Sequence, residues 1–298
     1  VNIDDVTQAL VDDMLAAVDV ADPTTWKPCW NQASVLPHNA LTGAAYSGSN
    51  IIFLWHASIV RAYTSNVWAT YKQWAQLGGQ VRKGEKGVHG VKWVLAKEKE
   101  PADRTDAQTR QRLVPTTFVV FNASQQDGAL VETDTPDTLE VEPAFDTWLA
   151  AIPHEVQTGA PAYWPAADTV TMPPRGEFHH AEGFMSTYAH ELAHWTGHKD
   201  RLGRSFDGRF GDSSYAVEEL VAELSASFTC AHLGIATPSL RDDHAKYLRH
   251  WMTVLREQPR VLLTVAQAAE RATKFLSNFS TPEVTDGDSS EPATPVAA

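Results

Sequence analysis

Apolar residues recur at helical spacing near the start of the chain, where Val6, Ala9, Leu10, Met14 and Val18 mark one face of a helix over residues 4–20, with Pro23 beyond its end. A second apolar run predicts a helix from Asn50 to Ala62. A third is expected to open at Ser65 as its N-cap and to close at Gly78-Gly79, with Trp68, Tyr71 and Ala75 on one side and Lys72 on another. The period then shifts to that of strands. Val88 to Leu95 and Leu113 to Phe121 are β-rich, and the charged segment Lys97 to Arg112 between them reads as an exposed hairpin loop. These elements make a small α+β unit over residues 1–122. Residues 123–141 are polar and acidic without periodicity and read as an interdomain linker.

Downstream, a helix around Pro143 to Ala151 precedes Tyr163 to Pro173, where Val170 and Met172 alternate with threonines as in an edge strand. A helix through Tyr188 to Thr196 stops at Gly197, and another from Tyr215 to Cys230 carries Leu220, Leu224, Ser227 and Phe228 as an inward stripe. Two more helices are expected at about 240–256 and 261–277, completing an α-rich domain with a short sheet over 142–279. The tail, 280–298, is rich in Pro, Ser, Asp and Glu and is expected to be disordered. The fold class is therefore α+β in two domains, a size and partition that 298 residues with 43% hydrophobic content allow.

Two cysteines, Cys29 and Cys230, lie far apart and outside any C-x-x-C, which excludes a disulfide framework and a cysteine zinc site and fits a reducing cytoplasm. The first residues are acidic, and the apolar stretch Ile51 to Val60 is too short for a membrane span, so neither a leader nor a membrane partner is expected. The net charge of −13 argues against nucleic acid until its distribution is considered. Residues 23–97 hold eight basic side chains against one acid, Glu85, a net of +7 that leaves −20 for the rest.

The chemistry concentrates in Tyr188-Ala-His-Glu-Leu-Ala-His-Trp-Thr-Gly-His198. His190 and His194, four residues apart on a helix, put both imidazoles on one face with Glu191 beside them, the H-E-x-x-H arrangement of two metal ligands and a general base. A catalytic zinc needs a third protein ligand, and Glu219 is chosen, with Glu223 one turn on to accept the free N–H of a ligating histidine. Glu218 points about 100° away from Glu219 and is expected to face solvent. His198 continues the ridge of His190 and would give poor tetrahedral geometry. Two imidazoles and a carboxylate suit Zn²⁺ and also accept Mn²⁺ or Co²⁺. Tyr215 or His232 is the candidate to stabilise an oxyanion, with a peptide substrate added along the Tyr163 to Pro173 strand.

The basic segment also holds six of the ten tryptophans. Cations that follow phosphates and aromatic faces that stack on bases are the mixture that binds single strands without sequence preference. Trp55, Trp68 and Trp93 are expected in the core. Trp26, Lys27 and Trp30 in the irregular stretch from Pro23 to Pro37, together with Lys72, are candidates for DNA contact. Arg82, Lys83 and Lys86, in a glycine-punctuated turn, are best suited to phosphates.

Taken in order, Trp26-Lys-Pro-Cys-Trp30, Pro37-His-Asn-Ala-Leu-Thr-Gly43, Tyr46-Ser-Gly-Ser-Asn50, Trp68-Ala-Thr-Tyr-Lys72 and Gly78-Gly-Gln-Val-Arg-Lys-Gly-Glu-Lys-Gly87 resemble the N-terminal single-stranded-DNA-binding domain of ArdC-type antirestriction proteins. Asp168-Thr-Val-Thr-Met-Pro173, His190 to His198, Arg201-Leu-Gly-Arg204 and Tyr215 to Glu223 resemble the zincin-type metallopeptidase domain of the same family. The resemblance implies a protein of a plasmid, phage or integrated element that binds single-stranded DNA and protects it from restriction. It also implies His190, His194 and Glu219 as metal ligands and Glu191 as the catalytic residue. Two other readings stand beside it: a cytosolic zinc peptidase without a DNA role, and a DNA-coating protein whose metal site is catalytically silent.

Overall fold

The computed structural model describes residues 2–20, 30, 35–95, 113–131, 141–204, 213–235 and 244–280. The first module opens with α1 (Ile3–Val20), followed by β1 (His38–Asn39), α2 (Ser49–Val60), β2 (Val67–Ala69), α3 (Tyr71–Gln76) and β3 (Gln80–Val81). The long pair β4 (Val88–Leu95) and β5 (Leu113–Asn122) and the short β6 (Gln126–Asp127) complete it. One sheet runs β1-β2-β5-β4, with β1 parallel to β2 and the other pairs antiparallel, and β3 pairs with β6. The expected hairpin loop of 97–112 and the tail from 281 lie outside the described residues.

The third helix starts later than its sequence suggests. Val67–Ala69 is a buried strand, with Trp68 opposite Asn122, and Ser65 serves that strand by accepting the Val67 N–H at 3.1 Å. Thr70 is the true N-cap. Its hydroxyl accepts the Gln73 N–H while the Gln73 side chain accepts the Thr70 N–H, a reciprocal capping box that Ser65 has no partner to form. A second such box, Asn122 with Gln125, turns the chain out of β5 into β6. Residues 123–127 therefore belong to the first module, where the sequence reading had a linker, and 132–140 lie outside the described residues.

The second module contains α4 (Val141–Ala151), β7 (Glu155–Thr158), β8 (Ala162–Trp164), β9 (Thr169–Met172), α5 (Ala181–Thr196), α6 (Ser213–His232), α7 (His244–Glu257) and α8 (Val261–Ser277). Its sheet runs β7-β9-β8, parallel then antiparallel. The strand holding Val170 and Met172 is thus central, a correction to its reading as an edge. Alternation reports which face of a strand is buried and carries no information about whether its two sides are paired. The edges are β7 and β8.

Among the described residues three apolar clusters form the interior. The largest joins Ile52, Trp55, Trp68 and Val120 of the first module to Leu220, Leu224 and Phe228 of α6 and to residues of α7 and α8, so it spans both halves of the chain. Trp55 and Phe228 meet across it with ring centroids 5.8 Å apart. A second cluster packs Phe145, Trp148, Val170, Phe184, Leu192 and Leu276 around α5, and a small third one gathers Val67, Ala69, Trp74 and Val81. Every residue from Glu218 to Ala231 is buried, because α6 has neighbours on all sides. Trp93, expected in the core, is 48% exposed.

Asn50, buried at the start of α2, imitates a strand along β4: its amide donates to Val91 O at 2.8 Å and its carbonyl accepts Val91 N–H at 2.7 Å. Asn50→Ala would leave both backbone groups unpaired. A loss of about 1–3 kcal/mol is expected, read as a lower urea midpoint for unfolding. An unchanged midpoint would show that water or a neighbour takes over both bonds.

Candidate metal centre

The motif helix α5 lies against α6, and both carry buried small residues, Ala189 and Ala193 on one and Ala222 and Ala226 on the other. Small side chains let the helix axes approach. His190 and His194 face Glu219 across this contact. The two Nε2 atoms are 3.2 Å apart, and Glu219 places Oε2 at 3.6 Å from His190 Nε2 and Oε1 at 3.5 Å from His194 Nε2. All three residues are buried, and among the described residues they form the one group with metal-ligand spacing. Nitrogen and oxygen ligands at about 2.0–2.1 Å around a tetrahedral ion stand roughly 3.3–3.4 Å from one another. Each contact is within a few tenths of an ångström of that figure, with His190 met by Oε2 and His194 by Oε1 of the one carboxylate, and one ligand atom from each residue lies within 4.8 Å of the others.

Each imidazole has a carboxylate behind it. His194 Nδ1 donates to Glu218 Oε1 at 3.2 Å, and Arg204 holds Glu218 through two bonds of 2.9 Å. His190 Nδ1 lies 3.5 Å from Glu223 Oε2, within ion-pair distance and without a hydrogen bond. Engaging Nδ1 fixes the tautomer that leaves Nε2 free to ligate. Glu218, expected in solvent, is 8% exposed. Its 100° offset from Glu219 points it at His194 and Arg204, since α6 has no solvent side here.

The electrostatics favour a cation. Burial alone would lower the His194 pKa, but Glu218 and Glu219 outweigh it and push the value up to about 10. Burial would likewise raise Glu219, yet His190 and His194 hold it well below the usual carboxylate range. Arg204 neutralises Glu218, and a divalent ion between His190, His194 and Glu219 would answer the carboxylate that faces them.

Glu191 is buried on α5 beside His190, and Tyr215 stands half-buried on α6 one turn before Glu219. His198 lies past the end of α5, 3.5 Å from Asp200, and takes no part in the ligand group. His232 is exposed and 13 residues beyond Glu219 on α6, about 20 Å along its axis, so it cannot serve an oxyanion at this site. Arg201 ties the segment after α5 to the sheet: it donates to Asp168 and to the Tyr163 hydroxyl, and its guanidinium lies 3.9 Å from the centre of the Trp195 ring. Sequence reasoning missed Arg204 and Glu218 as the pair that orients His194. Their signal was an arginine in the turn after the motif helix and a doubled glutamate on the next one.

Of the DNA-contact candidates, Trp26 and Lys27 lie outside the described residues. Trp30 is fully buried in the largest core, which removes its ring from any stacking role. Lys72, Lys83 and Lys86 are exposed. Arg82 braces its own turn, donating to Asp127 at 3.1 Å, Glu85 at 3.0 Å and the Ser124 carbonyl.

Residues 4–121 match the family profile of the N-terminal domain of anti-restriction factor ArdC, and residues 140–269 match that of a zincin-like metallopeptidase. Protein y4eC of Sinorhizobium fredii is 31% identical over 287 residues, covering 91% of both chains. The DNA primase TraC of Escherichia coli is 31% identical over 287 residues, which span 89% of this chain and 26% of that protein. The crystal structure of the antirestriction ArdC protein from plasmid R388, metal-free, aligns with a TM-score of 0.75 at 34% identity, covering 93% of this chain and 98% of that one. Its Mn(II)-bound form gives 0.75 at 32% identity with the same coverage.

Removing either supporting carboxylate tests this geometry. Glu218→Ala and Glu223→Ala should each weaken Mn²⁺ or Zn²⁺ binding by about 10–100-fold, measured by competition with a chelating dye. Wild-type affinity in one variant would dismiss that residue as an orienting partner.

Proposed function

The chain belongs to the ArdC family of antirestriction proteins, and from that premise we propose that its N-terminal module binds single-stranded DNA and shields it from restriction, while its His-His-Glu group serves a zinc-type peptidase. The observation that carries this proposal is the joining, through one shared core, of an ArdC-type N-terminal module to a helix pair that brings His190, His194 and Glu219 together. A mobile element entering a cell as single-stranded DNA is the natural carrier of such a protein. A cytoplasmic setting is consistent with the described residues, where no helix is long and apolar enough to cross a membrane.

On the DNA side, Lys72, Lys83 and Lys86 stand exposed on α3 and on the turn from β3 to β4, where they can follow phosphates. The Arg82 brace gives that turn a fixed shape. On the peptidase side, a bound Zn²⁺, or Mn²⁺ as the R388 protein supports, would supply Lewis-acid polarisation of a carbonyl and acidify water. Glu191 takes a proton from the attacking water and passes it to the leaving amine. Tyr215 donates a hydrogen bond to the carbonyl oxygen as that atom gains charge. A substrate strand would add to β8, the sheet edge that packs against α5, in place of the central β9.

Two measurements test the two halves separately. Binding to a fluorescent single-stranded oligonucleotide should weaken with salt at a slope of about −0.7 per phosphate contact, and reversing Lys72, Lys83 and Lys86 to Glu should flatten it by about 2. A salt-independent isotherm would leave a peptidase without a DNA role. For the other half, Glu191→Ala should abolish cleavage of a casein substrate and retain the metal. If the metal is lost with it, Glu191 is a ligand and its assignment as base is wrong; full protection of DNA by the same variant would mark the metal site as dispensable for antirestriction.

A further inference from the structure

We propose that the cleft where β4 and β5 meet α8 holds an unpaired nucleobase of the bound strand, with Lys92 on its phosphate; this rests on the DNA-binding reading above. The cleft encloses 370 Å³ and is distinct from the lysine-bearing turn at Arg82 to Lys86. Its floor follows from a glycine. Gly90 pairs with Phe118 across the antiparallel ladder, and the Phe118 ring covers it so closely that a Cβ there would meet ring atoms at 2.4 Å. Tyr46 lies parallel to Phe118, with centroids 6.4 Å apart and 12° between the planes. Both rings rest on the largest core and are only partly buried.

The walls supply the remaining chemistry. Lys92 follows Gly90 by two residues, so it emerges on the strand face that carries Phe118; Trp93, the next residue along β4, is 48% exposed and lines the cleft from the opposite strand face. Opposite them, α8 presents the amide of Gln267 and the carboxylate of Glu270, whose Oε1 is held by Lys274 at 2.6 Å and whose Oε2 remains to accept from a base edge as the amide pairs with its donors and acceptors. Gly48 closes one end. Its φ of 57° and ψ of −133° suit glycine, and a Cβ would come within 3.1 Å of the Glu270 carboxylate, so loop and helix meet tightly there. Flat aromatic surface, one ammonium and hydrogen-bonding groups along a wall are what an unstacked base on a strand requires. An aliphatic ligand would leave the polar wall unpaired.

The test uses the full chain and a fluorescein-labelled oligodeoxythymidylate, titrated at several salt concentrations. Trp93→Ala removes an exposed side chain and should weaken binding roughly 5- to 150-fold with an unchanged salt slope. Lys92→Ala should flatten the slope by about 0.7. In the wild-type protein, an oligonucleotide carrying 5-bromodeoxyuridine should photocrosslink to peptides containing Trp93, Phe118 or Tyr46. If the wild-type chain binds DNA while both variants match it and the crosslinks map elsewhere, the cleft is not a base site and the DNA reading survives. If the wild-type chain binds no DNA, both fall together.

Discussion

The structure depends on the burial of α6. A helix whose residues from Glu218 to Ala231 are all inside the protein should be apolar throughout, yet this one carries three glutamates in its second and third turns. Buried carboxylates are tolerated only when paired, and the cost of leaving one unpaired is several kcal/mol. The pairing comes from α5 and from the turn after it: His194 and Arg204 for Glu218, both imidazoles for Glu219, His190 for Glu223. Arg204 also donates to the carbonyl of Ala193 and the hydroxyl of Thr196, so it stitches the end of α5 to α6. The charged contacts that make a metal site possible are therefore the same contacts that let the two helices pack.

How much of this was legible follows from what each signal measures. Helical period located α1, α2, α4, α6 and α8 to within a few residues, because each buries a stripe and the stripe is written in the sequence. The H-E-x-x-H spacing and the choice of Glu219 needed only helix geometry. The misreadings share one cause: periodicity gives the direction of a side chain and is silent about what covers it. Glu218 was sent to solvent because acids usually go there, whereas Arg204 was waiting on that side. Trp30 and Trp93 differ from expectation for the same reason: Trp30 is fully buried in the largest core, and Trp93 is 48% exposed.

The division into domains was read from composition, and the packing crosses it. Polar, aperiodic residues after β5 looked like a linker, but Asn122 and Gln125 cap a turn there and β6 pairs back on β3. More importantly, the largest core takes residues from both halves, so neither half can be removed without exposing Trp55, Val120 and Phe228 to water. Burying a large aromatic side chain contributes about 1.5–3 kcal/mol, and this interface holds several. Two family modules can thus be one thermodynamic unit even though their sequences are matched separately.

That shared core gives the α8 side of the molecule a position of some consequence. α8 lines the aromatic cleft through Gln267 and Glu270, and a turn or two away Thr273 shares a hydrogen bond with Ser225 of α6 at 3.3 Å and donates to the Ser225 carbonyl. Ser225 is two residues past Glu223, so the helix that faces the cleft is bonded to the helix that carries Glu219 of the His-His-Glu group. Coupling between two sites requires an element whose arrangement both of them bias. The hydroxyl pair on α6 and α8 is a contact through which such a bias would pass, because a directed hydrogen bond tolerates small sliding less readily than the apolar packing around it does.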